Sequence, residues 1–169
     1  MILGMSTATY TLLHVLISLI GIGSGFIVLY GFFTDRRLDL WNLIFLVTTV
    51  ATSVTGFGFP FDHLLPSHKL GILSLVVLVI AIPARYAFHL AGAWRRTYVI
   101  TASIALYFNV FVLVAQSFMK VPSLKALAPT QQEPPFLIAQ LVVLLIFIGL
   151  TIFAARRFRA EPVRPARAA

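Results

Sequence analysis

The sequence contains no cysteine and few charged residues, and each shortage excludes whole classes of protein. Of the 169 residues, 11% are charged and 60% are hydrophobic, and the mean hydropathy is +0.98. Because a soluble domain carries about 25% charged residues, this chain has too little polar surface to cover itself in water. The absence of cysteine excludes disulfides, thiolate metal sites, iron–sulfur clusters and thioether-linked haem. The composition therefore indicates an integral membrane protein instead of a soluble or disordered chain.

Acidic residues are scarcer than basic ones. Five Asp and Glu residues stand against thirteen Lys and Arg residues, which gives a formal net charge of +8. Most of the cations lie beside apolar runs, so we expect membrane lipids as partners and no nucleic acid. No acidic residue lies inside an apolar run, and this counts against a proton-coupled carrier, since such carriers often use carboxylates within the membrane.

The chain is instead rich in long apolar runs. About 20 helical residues cross the roughly 30 Å hydrocarbon core of a bilayer, and five runs approach that length. We therefore predict an all-α integral membrane bundle of five transmembrane helices, forming one domain over 1–155 with a basic cytoplasmic tail over 156–169. The third run is the least certain, because it contains Arg85. The predicted spans are about 10–33, 40–60, 67–92, 97–119 and 136–154.

The basic residues are distributed unevenly over the two sides of this bundle. Nine arginines fall on one side and three lysines on the other, so the positive-inside rule predicts a cytoplasmic C-terminus and an N-terminus outside. No Lys or Arg precedes Arg36, so we expect the first run to be a retained helix and not a cleaved signal peptide. Four aromatic residues near the ends of runs are expected to form an interfacial belt: Tyr10, Trp41, Trp94 and Tyr98.

The first run has a stripe of small and polar residues. His14, Ser18, Gly21 and Gly25 are spaced four, three and four apart, which places them on one helix face. Gly21 and Gly25 also form a G-x-x-x-G pattern, which lets a neighbouring helix approach the backbone closely. We expect the two glycines to serve helix packing, although a flat cofactor would fit the same face.

Three histidines are the candidates for cofactor binding. The predicted topology places His14, His63 and His68 toward the outer side. Two imidazoles from different helices, His14 with His68 or His63, would ligate a b-type haem. The three rings with Asp62 would alternatively hold zinc or copper. The interpretation we favour has no metal or cofactor and makes these residues interfacial or hydrogen-bonding groups.

Arg85 is the one charge predicted to lie well inside the membrane. A buried arginine is costly unless it has a partner or extends to the surface. His89 would lie one turn further on the same helix face, and Asp39 is the nearest counter-ion. We favour extension of Arg85 to the cytoplasmic surface over an ion pair or an anionic-ligand site formed with Asp39 and His89.

Two segments carry a resemblance to known proteins. They are residues 47–68, VTTVATSVTGFGFPFDHLLPSH, and residues 126–136, ALAPTQQEPPF. Together with the short arginine-bearing loops, they make the chain resemble a group of uncharacterised small multi-pass inner-membrane proteins of proteobacteria. The resemblance implies a bacterial inner (cytoplasmic) membrane location and transfers no activity or site residue.

No catalytic motif is present among these features, so the function expected first is that of a non-enzymatic accessory or scaffold component working with other membrane subunits. One alternative is a haem-binding electron-transfer subunit, for which haem b would be the cofactor. A second alternative is a small transporter or channel whose path is lined by the threonines of the second run.

Overall fold

The computed structural model describes residue 2 and residues 4–59 and 66–159, and it is all-α within these ranges. His63 and Asp62 lie outside the described residues, as do residues 160–169 of the predicted tail. Within the described ranges the six helices are α1 Thr7–Phe33, α2 Asp39–Gly56, α3 Pro66–Tyr86, α4 Ala93–Lys120, α5 Pro122–Leu127 and α6 Pro134–Arg157.

Local sequence explains where several helices begin. The Ser6 side chain accepts a hydrogen bond from the Thr9 backbone at 3.1 Å and caps α1. A proline opens both α5 and α6, where its fixed φ suits the first turn and its missing N–H is not needed. Helix α3 ends at Tyr86, six residues before the predicted end of the third span at residue 92.

The early end of α3 can be seen in its backbone hydrogen bonds. The carbonyl of Pro83 accepts from two successive amides, those of Ala87 and Phe88, both at 2.9 Å, and the helical hydrogen-bond series stops there. His89 and Leu90 then adopt positive φ angles of 48° and 60°, which turns the chain toward α4.

Four helices in the described part of the chain are long and apolar enough to cross a membrane. These are Thr7–Phe33, Ser67–Tyr86, Ala93–Lys120 and Pro134–Arg157. The protein is therefore a multi-pass helical membrane protein, as its composition predicts. Helix α2 is not among the four: it has 18 residues and includes Asp39, Asn42 and several threonines.

Helix α4 lies at the centre of the bundle, with α1, α3 and α6 packed against it and α2 between α1 and α3. The core includes alanines that allow close helix approach, Ala81, Ala84, Ala102 and Ala105, each at most 2% exposed. Large apolar side chains point outward along α1, α3 and α6. An apolar exterior of this extent suits contact with lipid.

Helix α2 runs antiparallel to α1 over its whole length. Near its start, Phe45 lies against Gly25 of α1, where an added Cβ would come within 2.9 Å of the ring. Near its end, the Thr55 hydroxyl is 2.8 Å from Nδ1 of His14.

Helix α2 also follows α3 from end to end. Asp39 pairs with Arg85 at one end, and Ser53 donates to Ser74 at 3.1 Å toward the other. Each end of α2 therefore lies at the same height along the bundle as the adjacent parts of α1 and α3.

Candidate functional site

Arg85 forms the centre of a polar cluster at the arginine-rich end of the bundle. It lies in the last turn of α3 and is 2% exposed. Its Nη2 donates to the Asp39 carboxylate at the start of α2, and also to the Arg37 carbonyl at 3.4 Å. The Asp39 side chain is 70% exposed, so the pair joins a buried cation to an anion at the rim. Arg85 is thus buried in the bundle, and its expected extension to the surface is not found.

Two further residues complete the cluster. The Arg85 guanidinium lies 5.2 Å from the centre of the fully buried Tyr98 ring, a cation–π contact that links α3 to α4. The Tyr98 hydroxyl donates to the Asn42 side-chain oxygen. Asn42 in turn donates to the backbone carbonyls of Arg37 at 2.6 Å and Leu38 at 2.9 Å. The cluster therefore connects α2, α3, α4 and the α1–α2 loop.

Tyr98 was predicted to lie in an interfacial belt, and Asn42 was not among the candidate site residues. Tyr98 is 0% exposed and Asn42 is 1% exposed. The sequence did contain a signal for both residues, because an arginine within the membrane needs polar neighbours at the same depth. Asn42 lies three residues after Asp39, and Tyr98 lies at the start of the next helix after Arg85.

The loop that the cluster holds has an unfavourable backbone. Asp35 and Leu38 have positive φ angles of 57° and 42°, a conformation that costs a non-glycine residue about 1 kcal/mol or more. Gly31 allows the loop to fold back, since a Cβ there would come within 2.8 Å of the Leu38 side chain. The Asn42 hydrogen bonds to this loop offset part of the cost.

One part of the Arg85 guanidinium has unused donors. Among the described residues, Nη1 is buried and has no hydrogen-bond partner. This nitrogen is therefore a buried donor whose hydrogen-bonding capacity the Asp39 pair does not use.

The predicted position of His89, one turn beyond Arg85 on the same helix face, is not observed. It follows the end of α3, with a φ of 48°, and its side chain is exposed. The expectation that it shares a helical face with Arg85 is therefore wrong, because the helix that would carry that face ends at Tyr86.

The histidines at the other end of the bundle have separate protein partners. Nδ1 of His14 is 2.8 Å from the Thr55 hydroxyl, and its ring meets the edge of Phe59 at 5.2 Å. The ring of His68, which is 4% exposed, stacks on Phe57 with centroids 5.5 Å apart. The haem hypothesis for His14 and His68 stays a prediction, as does the pairing with His63, which is not described.

Over residues 4–59 and 66–159, no three His, Asp or Glu side chains come together in a group that could hold a metal ion. The zinc or copper alternative also requires Asp62 and His63, which lie outside these ranges. The described donors therefore supply no metal centre of their own.

Gly21 and Gly25 face neighbouring helices. A Cβ at Gly25 would come within 2.5 Å of Leu106 on α4 and 2.9 Å of Phe45 on α2. A Cβ at Gly21 would lie 3.2 Å from the Thr48 hydroxyl oxygen. Gly25 is therefore the tighter of the two positions.

Polar side chains in the middle of the bundle bond mainly to one another or to backbone. Asn109 on α4 donates to the Thr49 hydroxyl on α2 at 3.2 Å. Gln140 on α6 donates to the Phe111 carbonyl of α4 at 3.1 Å. Thr48 donates to the Ile44 carbonyl of its own helix at 2.7 Å.

Comparison with family models, curated proteins and solved structures finds no match to this chain.

Proposed function

We propose that the chain crosses the membrane five times, with its N-terminus outside and its C-terminus in the cytoplasm. The support for the fifth span is the position of α2, which runs level with α1 and α3, two helices suited to crossing. At about 1.5 Å per residue its 18 residues extend about 27 Å, close to the thickness of the hydrocarbon core. Its polar side chains face helices: Asn42 meets Tyr98, Thr49 meets Asn109 and Ser53 meets Ser74.

The topology is tested with reporters at the two ends. A reporter after Ala169 is expected to give a cytoplasmic signal and one before Met1 a periplasmic signal. A third reporter in the α2–α3 connection, after Phe59, isolates the contribution of α2. Because α2 would carry the chain outward, that reporter should be periplasmic, and a cytoplasmic signal would contradict the fifth span.

We further propose that the protein is a non-enzymatic accessory or scaffold component of a bacterial inner membrane. The observation that supports this role is the use of interior polar groups for joining helices, as in the Asn109–Thr49 and Ser53–Ser74 hydrogen bonds. The space beside Gly25, Phe45 and Leu106 has no room for a water molecule. The interior is thus built for packing, and the outward faces of α1 and α6 remain for other membrane subunits.

The role is tested on the full chain extracted from native membranes in mild detergent. An accessory component should migrate in native electrophoresis as part of a larger complex of constant mass. Gly149 on α6 and Gly23 on α1 both face open space, so a leucine at either position adds outward bulk without an internal clash. Loss of the complex in Gly149→Leu or Gly23→Leu, with unchanged thermal stability, would assign the docking face.

Two other measurements on the same preparation address the alternatives. A Soret absorption band that disappears in His14→Ala would replace the scaffold proposal with a haem-binding role. Solute flux into proteoliposomes that depends on Thr49 or Thr52 would replace it with transport.

A further inference from the structure

A groove on the bundle surface lies between the first turns of α4 and the last turns of α6. Its volume is about 430 Å³. The groove is lined by residues from both helices: Arg96, Ile100, Thr151, Ile152, Ala155 and Arg156. It lies at the arginine-rich end of the bundle, which the proposed topology places in the cytoplasmic leaflet.

The lining of the groove has two layers, a charged layer at the end of the bundle and an apolar layer one turn deeper. Arg96 and Ile100 are four residues apart on α4, and Ile152 and Arg156 are four residues apart on α6, so each pair lies on one helix face. Because the two helices are antiparallel here, both arginines lie at the bundle end and both isoleucines one turn deeper. Ile100 is 41% exposed and Ile152 is 49% exposed, so the deeper layer offers open apolar surface.

The two arginines of the groove differ from their sequence neighbours. Arg95 donates to the Arg159 carbonyl at 3.4 Å, and Arg157 donates to the Phe33 carbonyl at 3.3 Å. Within the described part of the chain, the Arg96 and Arg156 side chains have neither a hydrogen bond nor an ion pair, and both are exposed. Their guanidinium groups are therefore available, and such groups bind phosphate in a planar, two-pronged geometry.

We propose that this groove binds an anionic glycerophospholipid of the bilayer, with its phosphate between Arg96 and Arg156 and an acyl chain along Ile100 and Ile152. Basic pockets between transmembrane helices on the cytoplasmic side are suited to anionic headgroups. The proposal depends on α4 and α6 crossing the bilayer. Its cytoplasmic placement rests on the proposed topology, which the reporters test separately, and the proposal does not depend on the scaffold role.

The remaining tail of the chain is a poorer occupant by charge. Residues 160–169 contain Arg164 and Arg167 against Glu161. Their side chains therefore carry a net positive charge, which the two arginines of the groove would repel. A chain truncated after Arg159 is therefore expected to keep its preference for the anionic lipid.

The experiment measures lipids bound to the full chain in detergent by native mass spectrometry, with equal amounts of phosphatidylglycerol and phosphatidylcholine. Wild type should prefer phosphatidylglycerol. One basic residue near an anionic lipid contributes about a fivefold preference. Arg96→Gln with Arg156→Gln should therefore lower the preference by roughly twenty-five-fold.

The matched control is Arg95→Gln with Arg157→Gln, which removes the same charge from adjacent positions of the same two turns. We expect this pair to keep most of the preference. An equal loss in the two pairs would show a general charge effect and overturn the proposal, as would the absence of a preference in wild type. Loss of the preference on truncation after Arg159 would assign the binding to the tail and also overturn it.

Thermal unfolding distinguishes the lipid from a soluble phosphate. Phosphatidylglycerol should raise the unfolding midpoint of wild type and of the control pair, but not that of the Arg96 and Arg156 pair. Glycerol 3-phosphate, which has no acyl chain, should raise none of them. An equal rise with glycerol 3-phosphate would make the groove a soluble-phosphate site and overturn the lipid assignment. If the glutamine pair is poorly folded, Arg96→Lys with Arg156→Lys keeps the charges and should lose only part of the preference.

Discussion

Asp39 and Arg85 are 46 residues apart in the sequence and form an ion pair that joins the start of α2 to the last turn of α3. The pair is asymmetric, because the Arg85 side chain is 2% exposed and the Asp39 side chain is 70% exposed. Asp39 also lies at a helix N-terminus, where the helix dipole favours a negative charge. The free-energy cost of burial therefore falls on the arginine.

This asymmetry predicts which partner is more costly to remove. Asp39→Asn leaves Arg85 buried without its counter-ion and should lower the free energy of unfolding by about 3 kcal/mol. Arg85→Met removes the buried charge and keeps much of the apolar stem, so it should cost less than Asp39→Asn. Unfolding of the detergent-solubilised protein measures both. A larger loss in Arg85→Met would show that the cation–π contact with Tyr98 outweighs the burial of charge.

A double-mutant cycle on the same two residues gives their coupling directly. We expect a coupling energy above about 1 kcal/mol, more than exposed pairs show. Arg85→Lys should recover only part of it, because an ammonium group cannot also donate to the Arg37 carbonyl with the same planar geometry. Coupling near zero would mean that solvent at Asp39 screens the pair.

Gly25 provides a packing prediction with a close control. A Cβ at Gly25 would come within 2.5 Å of Leu106 and 2.9 Å of Phe45. Gly25→Ala should therefore destabilise the bundle by about 1–3 kcal/mol, whereas Gly23→Ala, where the added carbon meets open space, should be neutral or slightly stabilising. Equal tolerance at positions 23 and 25 in thermal unfolding would contradict the packing shown.

Tyr98 and Tyr30 form a second matched pair. Tyr98→Phe removes the hydroxyl that donates to Asn42 and leaves a buried amide oxygen without that donor, so we expect a loss of about 1–2 kcal/mol. Tyr30 is 59% exposed, and Tyr30→Phe should have almost no effect on stability. Similar unfolding midpoints for the two variants would show that the Tyr98–Asn42 hydrogen bond contributes little.

Glu133 predicts a pH dependence in the loop before α6. Desolvation acts to raise the pKa of this carboxyl, but hydrogen bonds from backbone amides and from the Thr130 hydroxyl lower that pKa overall. A carboxyl with a lowered folded-state pKa contributes stability above its unfolded pKa of about 4.3, and this stability is lost as the pH falls through the folded-state value. The difference in thermal midpoint between wild type and Glu133→Gln should therefore be present at pH 6 and shrink below about pH 4. A constant difference would contradict this linkage.

Much of the fold follows from the residue pattern. The apolar runs predicted an all-α, multi-pass membrane protein, and both statements are confirmed. The end of α3 was harder to place, because residues 87–92 carry no Asp, Glu, Lys, Arg or proline that would mark a stop. Only the bifurcated hydrogen bonding at Pro83 and the positive φ angles at His89 and Leu90 show where the helix stops.

The candidate site shows the same division between what the sequence indicates and what the tertiary structure adds. Composition and charge spacing indicate a membrane protein, because a chain with 60% hydrophobic and 11% charged residues has too little polar surface to cover itself in water in any fold. They also mark Arg85 as a residue in need of a partner. Whether that partner is the surface, Asp39 or a ligand depends on distances between residues far apart in the chain. The tertiary structure alone shows the pairing with Asp39, because the close approach of α2, α3 and α4 brings Asp39 and Tyr98 to one guanidinium group and Asn42 to the Tyr98 hydroxyl.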